Sequence, residues 1–483
     1  MQKLILTVLM LGFWVISPGC TRNPVTGKRQ IVLVSESEEI AMGLQSDRQV
    51  RQEYGIVDTE SLQNYVQAIG RRLSSVSHRP NLDWRFTVVD SPVVNAFAIP
   101  GGYVYLTRGI LAYIGNEAEL AGVMGHEIGH VTARHAVRQI TRQELAQLGL
   151  GVGSALSPAL GQLGNAAQSG LGLIFLRFNR DDEREADRLG VEYAARGAWD
   201  PRQVSSFFDV LGRLSAANDR ETIPGWLSTH PDPPARVQTT RMQAGEWIQM
   251  LGLTEERMTV NRDQLLRAID GIVFGNDPRE GFMQGDRFYQ PKFEFQVDFP
   301  AQWRVDNTRD AVVAMNPRQA AQLQLTIPRV PAGMSSDDYV RTLASQGMTP
   351  QGAQSVNING NRAVLASYVI RTQSGLLGAR AGFIEYRNQI FQIVGMAFDF
   401  GRYSADIERS IRSFERLTDP RILRAQPDRL KIQPAQEGDS LTSVARRINN
   451  PRVSADDLAV LNRLTVDQRI TTGRLLKIVE PGY

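Results

Sequence analysis

Two histidines four residues apart, with a glutamate beside the first, stand in His126-Glu127-Ile128-Gly129-His130. On a helix that spacing puts both imidazoles on one face, where they can reach one ion. A catalytic zinc takes three protein ligands and keeps one position open for water. Glu127 lies where a general base for that water is needed. The chain has only five histidines, at 78, 126, 130, 135 and 230. By chance the motif would arise about three times in a thousand such chains, so two exposed helix histidines is the weaker reading.

The helix that must carry the pair is well signalled. Asn116 is a plausible N-cap with Glu119 three residues later, close to a capping box. Leu120, Val123, Met124, Ile128 and Val131 supply an apolar stripe.

A third ligand should come from further along, and Glu183-Arg184-Glu185-Ala186-Asp187 offers it. Glu183 and Asp187 share a helix face while Glu185 points away. One of the pair can ligate zinc while the other holds a ligand histidine from outside; a solvated charged turn is the competing reading. His230 sits in the proline-rich Ser228-Thr229-His230-Pro231-Asp232-Pro233-Pro234-Ala235-Arg236. His135, nine residues after His126, falls close to the opposite helix face and reads as structural. His78 has no motif around it.

These elements need a frame. A chain of 483 residues implies roughly two to four domains. The net charge of +3 is too small to argue for nucleic acid. Trp84 to Val89 alternates as a strand, and Asn95 to Tyr105 suggests two more strands around Pro100-Gly101-Gly102. Helical pattern then runs from Asn116 to about Trp247. Within it, Leu145 to Leu176 has no charged residue and reads as a mobile helical pair flanking the cleft. Residues 261–285 have linker composition. Strands and helices mix from Phe288 to about Leu417, with hairpin-turn chemistry at Asn357-Ile358-Asn359-Gly360-Asn361.

At the N-terminus, Lys3 precedes an apolar run from Leu4 to Ile16 that is too short to span a membrane, and Ser17-Pro18-Gly19-Cys20 follows. This reads as a secretory signal peptide. It resembles a bacterial lipobox, although Ser17 and Pro18 depart from the usual residues. That resemblance implies acylation at Cys20, and Thr21 after it implies the outer membrane. A single cysteine excludes an intramolecular disulfide.

Over residues 23–250 the chain resembles the family-48 zinc metallopeptidases (gluzincins, CAAX prenyl protease/HtpX-like), in their BepA-like branch of periplasmic lipoproteins. The motifs are Asn23-Pro24-Val25-Thr26-Gly27, Asn95-Ala96-Phe97-Ala98 with Pro100-Gly101-Gly102, Asn116 to Leu120 leading into the His126 motif, and Glu183 to Asp187. The resemblance implies His126, His130 and Glu183 as ligands of one zinc per chain, Glu127 as base and Asp187 behind the ligands. It implies that His230 approaches the metal, as a fourth ligand or beside the developing oxyanion, with Arg236 as its partner there. Residues Asn95, Ala96, Phe97 and Ala98 would form the edge to which substrate adds as a strand. Residues 286–418 resemble small PsbP-like α/β domains. Gly438-Asp439-Ser440-Leu441, Leu461-Asn462-Arg463-Leu464 and Gly473 to Ile478 resemble a LysM module, which binds peptidoglycan-type glycans. No aromatic residue lies within 430–480, however, to stack on a sugar.

The expectation is an α+β multidomain protein. It has a signal peptide (1–19), a lipid-anchored tether and first helix (20–45), and a mainly helical zincin-type metallopeptidase domain with a small edge sheet (46–260). A linker (261–285), a small α/β PsbP-like domain (286–418) and a βααβ LysM-like module (428–480) follow. The expected function is a membrane-anchored zinc endopeptidase on the periplasmic side of the outer membrane, acting on misfolded or stalled envelope proteins. The alternative is an envelope-protein chaperone or scaffold whose zinc site is latched or vestigial. Expected partners are polypeptide substrates, the membrane through the lipid, and peptidoglycan through the last module; nucleic acid is not among them.

Overall fold

The computed structural model describes residues 19–149, 176, 178–217, 225–230, 233–372 and 375–482. The signal-peptide stretch 1–18 and most of the uncharged segment 145–176 lie outside these. The described chain divides into two units, one of residues up to Gly275 together with Arg429–Glu480, the other Asn276–Asp428.

The first unit opens with a small hairpin of β1 (Gly19–Arg22) and β2 (Arg29–Val32), in which Cys20 pairs with Ile31. Two helices follow, α1 (Glu36–Tyr54) and α2 (Glu60–Ser75), the first started by a capping box of Ser35 and Glu38. A three-stranded sheet comes next: β3 (Arg85–Val89), β4 (Ala96–Ile99) and β5 (Tyr103–Thr107), in the order β3-β5-β4. β3 runs parallel and β4 antiparallel to β5, so β4 is an edge strand. Gly101 and Gly102 turn the chain between β4 and β5 at φ 85° and 98°, where a side chain would be strained.

A short helix α3 (Arg108–Tyr113) leads into α4 (Glu117–Thr132), in which all residues are buried. Asn116 caps α4 as expected, its side chain accepting from the Glu119 N–H. The helix stops there. Arg134 takes a left-handed φ of 57°, and a separate helix α5 (His135–Gly149) begins at His135. Then come α6 (Arg180–Arg196), α7 (Gln203–Ala217), α8 (Gly225–Thr229), α9 (Pro233–Leu251) and α10 (Arg262–Ala268). The linker-like composition of 261–285 begins with α10, whose Leu265 and Leu266 are fully buried in the core of this unit.

α4 and α6 approach at two glycines. A Cβ on Gly125 would stand 3.0 Å from the Gly190 carbonyl oxygen, and one on Gly190 would stand 3.0 Å from the His126 nitrogen. Backbones this close bring the side chains of both helices into one small volume.

The last part of this unit is β17 (Arg429–Pro434), α14 (Leu441–Ile448), α15 (Ala455–Asn462) and β18 (Leu475–Glu480), the two strands antiparallel. Its apolar residues, among them Leu430, Leu458, Leu461 and Val479, share one core with the helices of the first unit. Lys477 is buried and donates from Nζ to the carbonyls of Ala112 and Ile114, at 2.6 Å each. Arg463 is ion-paired with Glu119 in the first turn of α4.

The second unit has a seven-stranded antiparallel sheet in the order β12-β13-β14-β15-β11-β10-β9 and a four-stranded one, β16-β8-β7-β6. These strands are β6 (Phe282–Gln284), β7 (Arg287–Gln290), β8 (Phe295–Asp298), β9 (Arg304–Asn307), β10 (Ala311–Met315), β11 (Ala321–Thr326), β12 (Gly352–Ile358), β13 (Asn361–Thr372), β14 (Gly375–Tyr386), β15 (Gln389–Ala397) and β16 (Glu415–Arg416). Helices α11 (Ser336–Ser345), α12 (Phe400–Arg412) and α13 (Pro420–Leu423) accompany them. The Asn359-Gly360 turn joins β12 (Gly352–Ile358) to β13 (Asn361–Thr372) with φ of 49° and 89°, as a two-residue hairpin loop requires. Among the described residues no helix is long and apolar enough to cross a membrane.

Candidate metal centre

His126, His130, Glu183 and His230 are buried together, with their donor atoms all within 4.8 Å of one another. α4 supplies the two histidines of the pair and α6 supplies Glu183, about two turns before Gly190 at the crossing. His230 follows α8, whose Trp226 is buried and lies against its ring at a centroid distance of 4.4 Å.

The spacing of the donors fits a tetrahedral ion. His126 Nε2 is 3.0 Å from His130 Nε2 and 3.3 Å from His230 Nδ1. Glu183 is 2.9 Å from His230 Nδ1, and 3.6 Å from each of His126 Nε2 and His130 Nε2. Ligands about 2.0–2.1 Å from a tetrahedral zinc are about 3.3 Å apart, in the middle of this range. Imidazole and carboxylate are also the donors zinc prefers. Burial holds His126 mostly neutral, with its pKa down to about 4, and drives His130 well below the ordinary histidine value. Neutral imidazoles are what a metal requires. His230 goes the other way: burial opposes its charge, but the Glu183 carboxylate beside it outweighs burial and raises its pKa. Glu183 responds in kind. Burial would raise its pKa, yet His230 holds it below the usual carboxylate value.

Glu127 lies next to the cluster. Its Oε1 is buried without a hydrogen-bond partner, 3.7 Å from His230 Nε2. Burial pushes its pKa up to about 7, opposed chiefly by His230 and, to a smaller extent, by the backbone of Ala98 on the edge strand β4. The predicted edge residues therefore touch the site through Ala98. At the other end of that strand the Trp226 N–H donates to the Val94 carbonyl at 2.9 Å. The helix that precedes His230 is thus hydrogen-bonded to the chain leading into β4.

Asp187 accepts from His126 Nδ1 at 3.0 Å, and Arg236 donates to both its carboxylate oxygens, from Nε at 2.9 Å and Nη2 at 2.6 Å. Burial works against the Asp187 charge, but Arg236 and His126 outweigh it and bring its pKa to about 2. Arg236 also donates to the His230 carbonyl at 3.2 Å. It also lies 3.6 Å from Glu183, so it ties the His230 segment to α6 beside the donor cluster.

His135 differs most from the sequence reading. Counting it round one continuous helix put it on the far side, but the break at Arg134 turns α5 back, and His135 Nδ1 lies 2.8 Å from His130 Nδ1. Asp182, Glu185 and Arg138 gather behind it. Four of the chain's five histidines thus meet in one place, and their scarcity was the available signal. His78 lies apart, 2.7 Å from the Tyr193 hydroxyl.

Residues 60–244, which hold every donor in the cluster, match the model of peptidase family M48. Over this segment the chain is similar to the M48 peptidases. It is 32% identical over 233 residues to the beta-barrel assembly-enhancing protease of Escherichia coli (strain K12), covering 46% of this chain and 47% of that one. It is 31% identical over 194 residues to the mitochondrial metalloendopeptidase OMA1 of Arabidopsis thaliana, covering 40% and 38%. The chain spans about half the length or less of these relatives. Among solved structures, cyanobacterial PsbP from Synechocystis sp. PCC 6803 aligns with 27% of this chain and 91% of its own, at 15% identity and a TM-score of 0.23.

Proposed function

We propose that this protein is a zinc endopeptidase of the cell envelope that hydrolyses peptide bonds in misfolded or stalled envelope proteins. The observation that carries the catalytic part is Glu127: a buried carboxylate with one unpartnered oxygen, beside four metal-type donors. His126, His130 and Glu183 would hold the metal, and Asp187 orients His126. Zinc, when bound, supplies a Lewis acid that polarises the scissile carbonyl and activates water. Glu127 takes the proton from the attacking water and returns it to the leaving amine. A pKa near 7 suits a group that must both accept and release a proton near neutral pH. The unpaired side of β4 orients substrate as an added strand. The envelope location and substrate class rest on the similarity to the beta-barrel assembly-enhancing protease and on the Cys20 signal.

A second reading, of regulation, has its own support. His230 turns Nδ1 into the donor cluster and Nε2 toward Glu127, filling the space a reacting water would need. The enzyme is then latent until the His230 segment moves, which reconciles a complete catalytic set with a holding or chaperone role at rest.

The decisive test is cleavage of casein by the purified protein and by Glu127→Gln. Losing a general base should lower turnover about 10²–10⁴-fold with zinc retained. Equal cleavage by both would sink the mechanism.

A further inference from the structure

We infer that His135 is a positioning residue for the metal centre: it accepts the Nδ1–H of His130 and so fixes which ring nitrogen His130 turns to the ion. This rests on the zinc reading of the cluster.

The argument follows the protons. His130 Nε2 faces the other donors, 3.0 Å from His126 Nε2. A metal-ligating nitrogen must present a lone pair, so the ring proton of His130 sits on Nδ1. That atom is 2.8 Å from His135 Nδ1, which must then be bare and accept. A neutral His135 consequently carries its proton on Nε2, and Nε2 is 3.1 Å from Glu185 Oε2. Glu185 is held in turn by Arg138 at 3.0 Å, and the same Arg138 nitrogen reaches Asp182 at 2.7 Å. Every link has one donor and one acceptor. The His135 ring is fully buried and Phe178 packs on His130 at 4.2 Å between centroids, so neither ring has room to turn.

The two ligand histidines of α4 are therefore supported differently. His126 leans on the carboxylate of Asp187, His130 on a neutral imidazole. His135, Asp182 and Glu185 could by distance alone hold a second cation. Arg138 and Arg142 already pair with those carboxylates, however, so the chain supplies that positive charge itself. What remains for His135 is its acceptor nitrogen.

The test is zinc affinity, measured by competition with a chromophoric chelator for the full chain and for His135→Ala, His135→Asn and His135→Gln. Asparagine can set its side-chain oxygen where Nδ1 lies. Glutamine reaches toward Glu185 but offers no acceptor at the Nδ1 position. Ala and Gln should weaken zinc binding about 10–100-fold, with Asn staying within a few-fold of the natural protein. A role in packing alone predicts the reverse order, because Gln is nearer in length and keeps the Glu185 contact. Thermal melts of the metal-free variants check folding, and where Ala fails to fold the Asn–Gln order decides. All three within twofold of the natural protein, or Gln retaining zinc better than Asn, would overturn the assignment. A natural protein that takes up no zinc would instead overturn the metal reading on which it rests.

Discussion

His230 and Glu127 face each other across the metal centre, Nε2 to Oε1 at 3.7 Å, with the Glu127 oxygen otherwise unpartnered. The opposite nitrogen of the same ring lies 2.9 Å from Glu183. One imidazole therefore separates the donor cluster from the base that must work on it. Four consequences of the site and its frame can be measured.

Replacing His230 with alanine should open the space between Glu127 and the cluster. Basal casein cleavage and self-cleavage by His230→Ala are expected to rise. Were His230 only a transition-state donor, activity would instead fall about a hundredfold or more. An inactive His230→Ala protein with normal zinc content refutes the latch.

Zinc uptake should depend on pH through His230. In the metal-free protein its pKa lies above the ordinary value of 6.5 because Glu183 outweighs burial. Below that raised pKa the imidazole is charged, and ligating zinc must expel its proton. Affinity should therefore fall as pH drops through this range, by about tenfold per pH unit for one proton. His126 and His130, held neutral by burial, add little to the slope near pH 7. Calorimetry in two buffers of different ionisation enthalpy should find more protons released per zinc at about pH 6.5 from the natural protein than from His230→Ala. If His230→Ala releases the same number, His230 is not a ligand.

The C-terminal βααβ segment should stabilise the helix that carries the metal pair. Arg463 pairs with Glu119, whose side chain is only 1% exposed, in the first turn of α4. Arg463→Ala leaves that carboxylate without its main counter-charge and should cost about 3 kcal/mol in urea unfolding. Glu119 keeps bonds from the Gly115 N–H and the Asn116 side chain, so Glu119→Gln should be milder. In the double-mutant cycle a coupling above about 1 kcal/mol is expected. A coupling near zero would mean the segment merely lies alongside.

Cys20 is expected to carry the anchor. Acyl label should appear on the natural protein and vanish in Cys20→Ala, which should also leave the membrane fraction. Two or more acyl chains are enough for stable anchoring, whereas one is marginal. Label persisting in Cys20→Ala would exclude lipidation there.

Local rules explain what could be read from the residues alone. The spacing of His126 and His130 needs only the period of one helix, and Asn116 marks its start through a hydrogen bond three residues away. Asn359-Gly360 specifies its hairpin because both residues tolerate positive φ. The i, i+4 relation of Glu183 and Asp187 was legible for the same reason, as a pair that could serve a metal and a ligand histidine.

Other features depend on packing between distant elements, which one-dimensional periodicity does not carry. His135 joins the site because Arg134 breaks the helix at φ 57°, a left-handed residue with no glycine to announce it. Arg236 meets Asp187 and the His230 carbonyl only after α9 folds back on α6. Lys477 lies 363 positions from Ile114, yet its Nζ is buried against that carbonyl. The sequence by itself determined the pair of histidines, the neighbouring glutamate and the caps, because those follow from bonds within a turn or two of helix. The tertiary structure alone decided which acid faces the cluster, where His230 and His135 sit, and what supports the start of α4. Those follow from how closely two helices can approach, and Gly125 and Gly190 let them approach to contact.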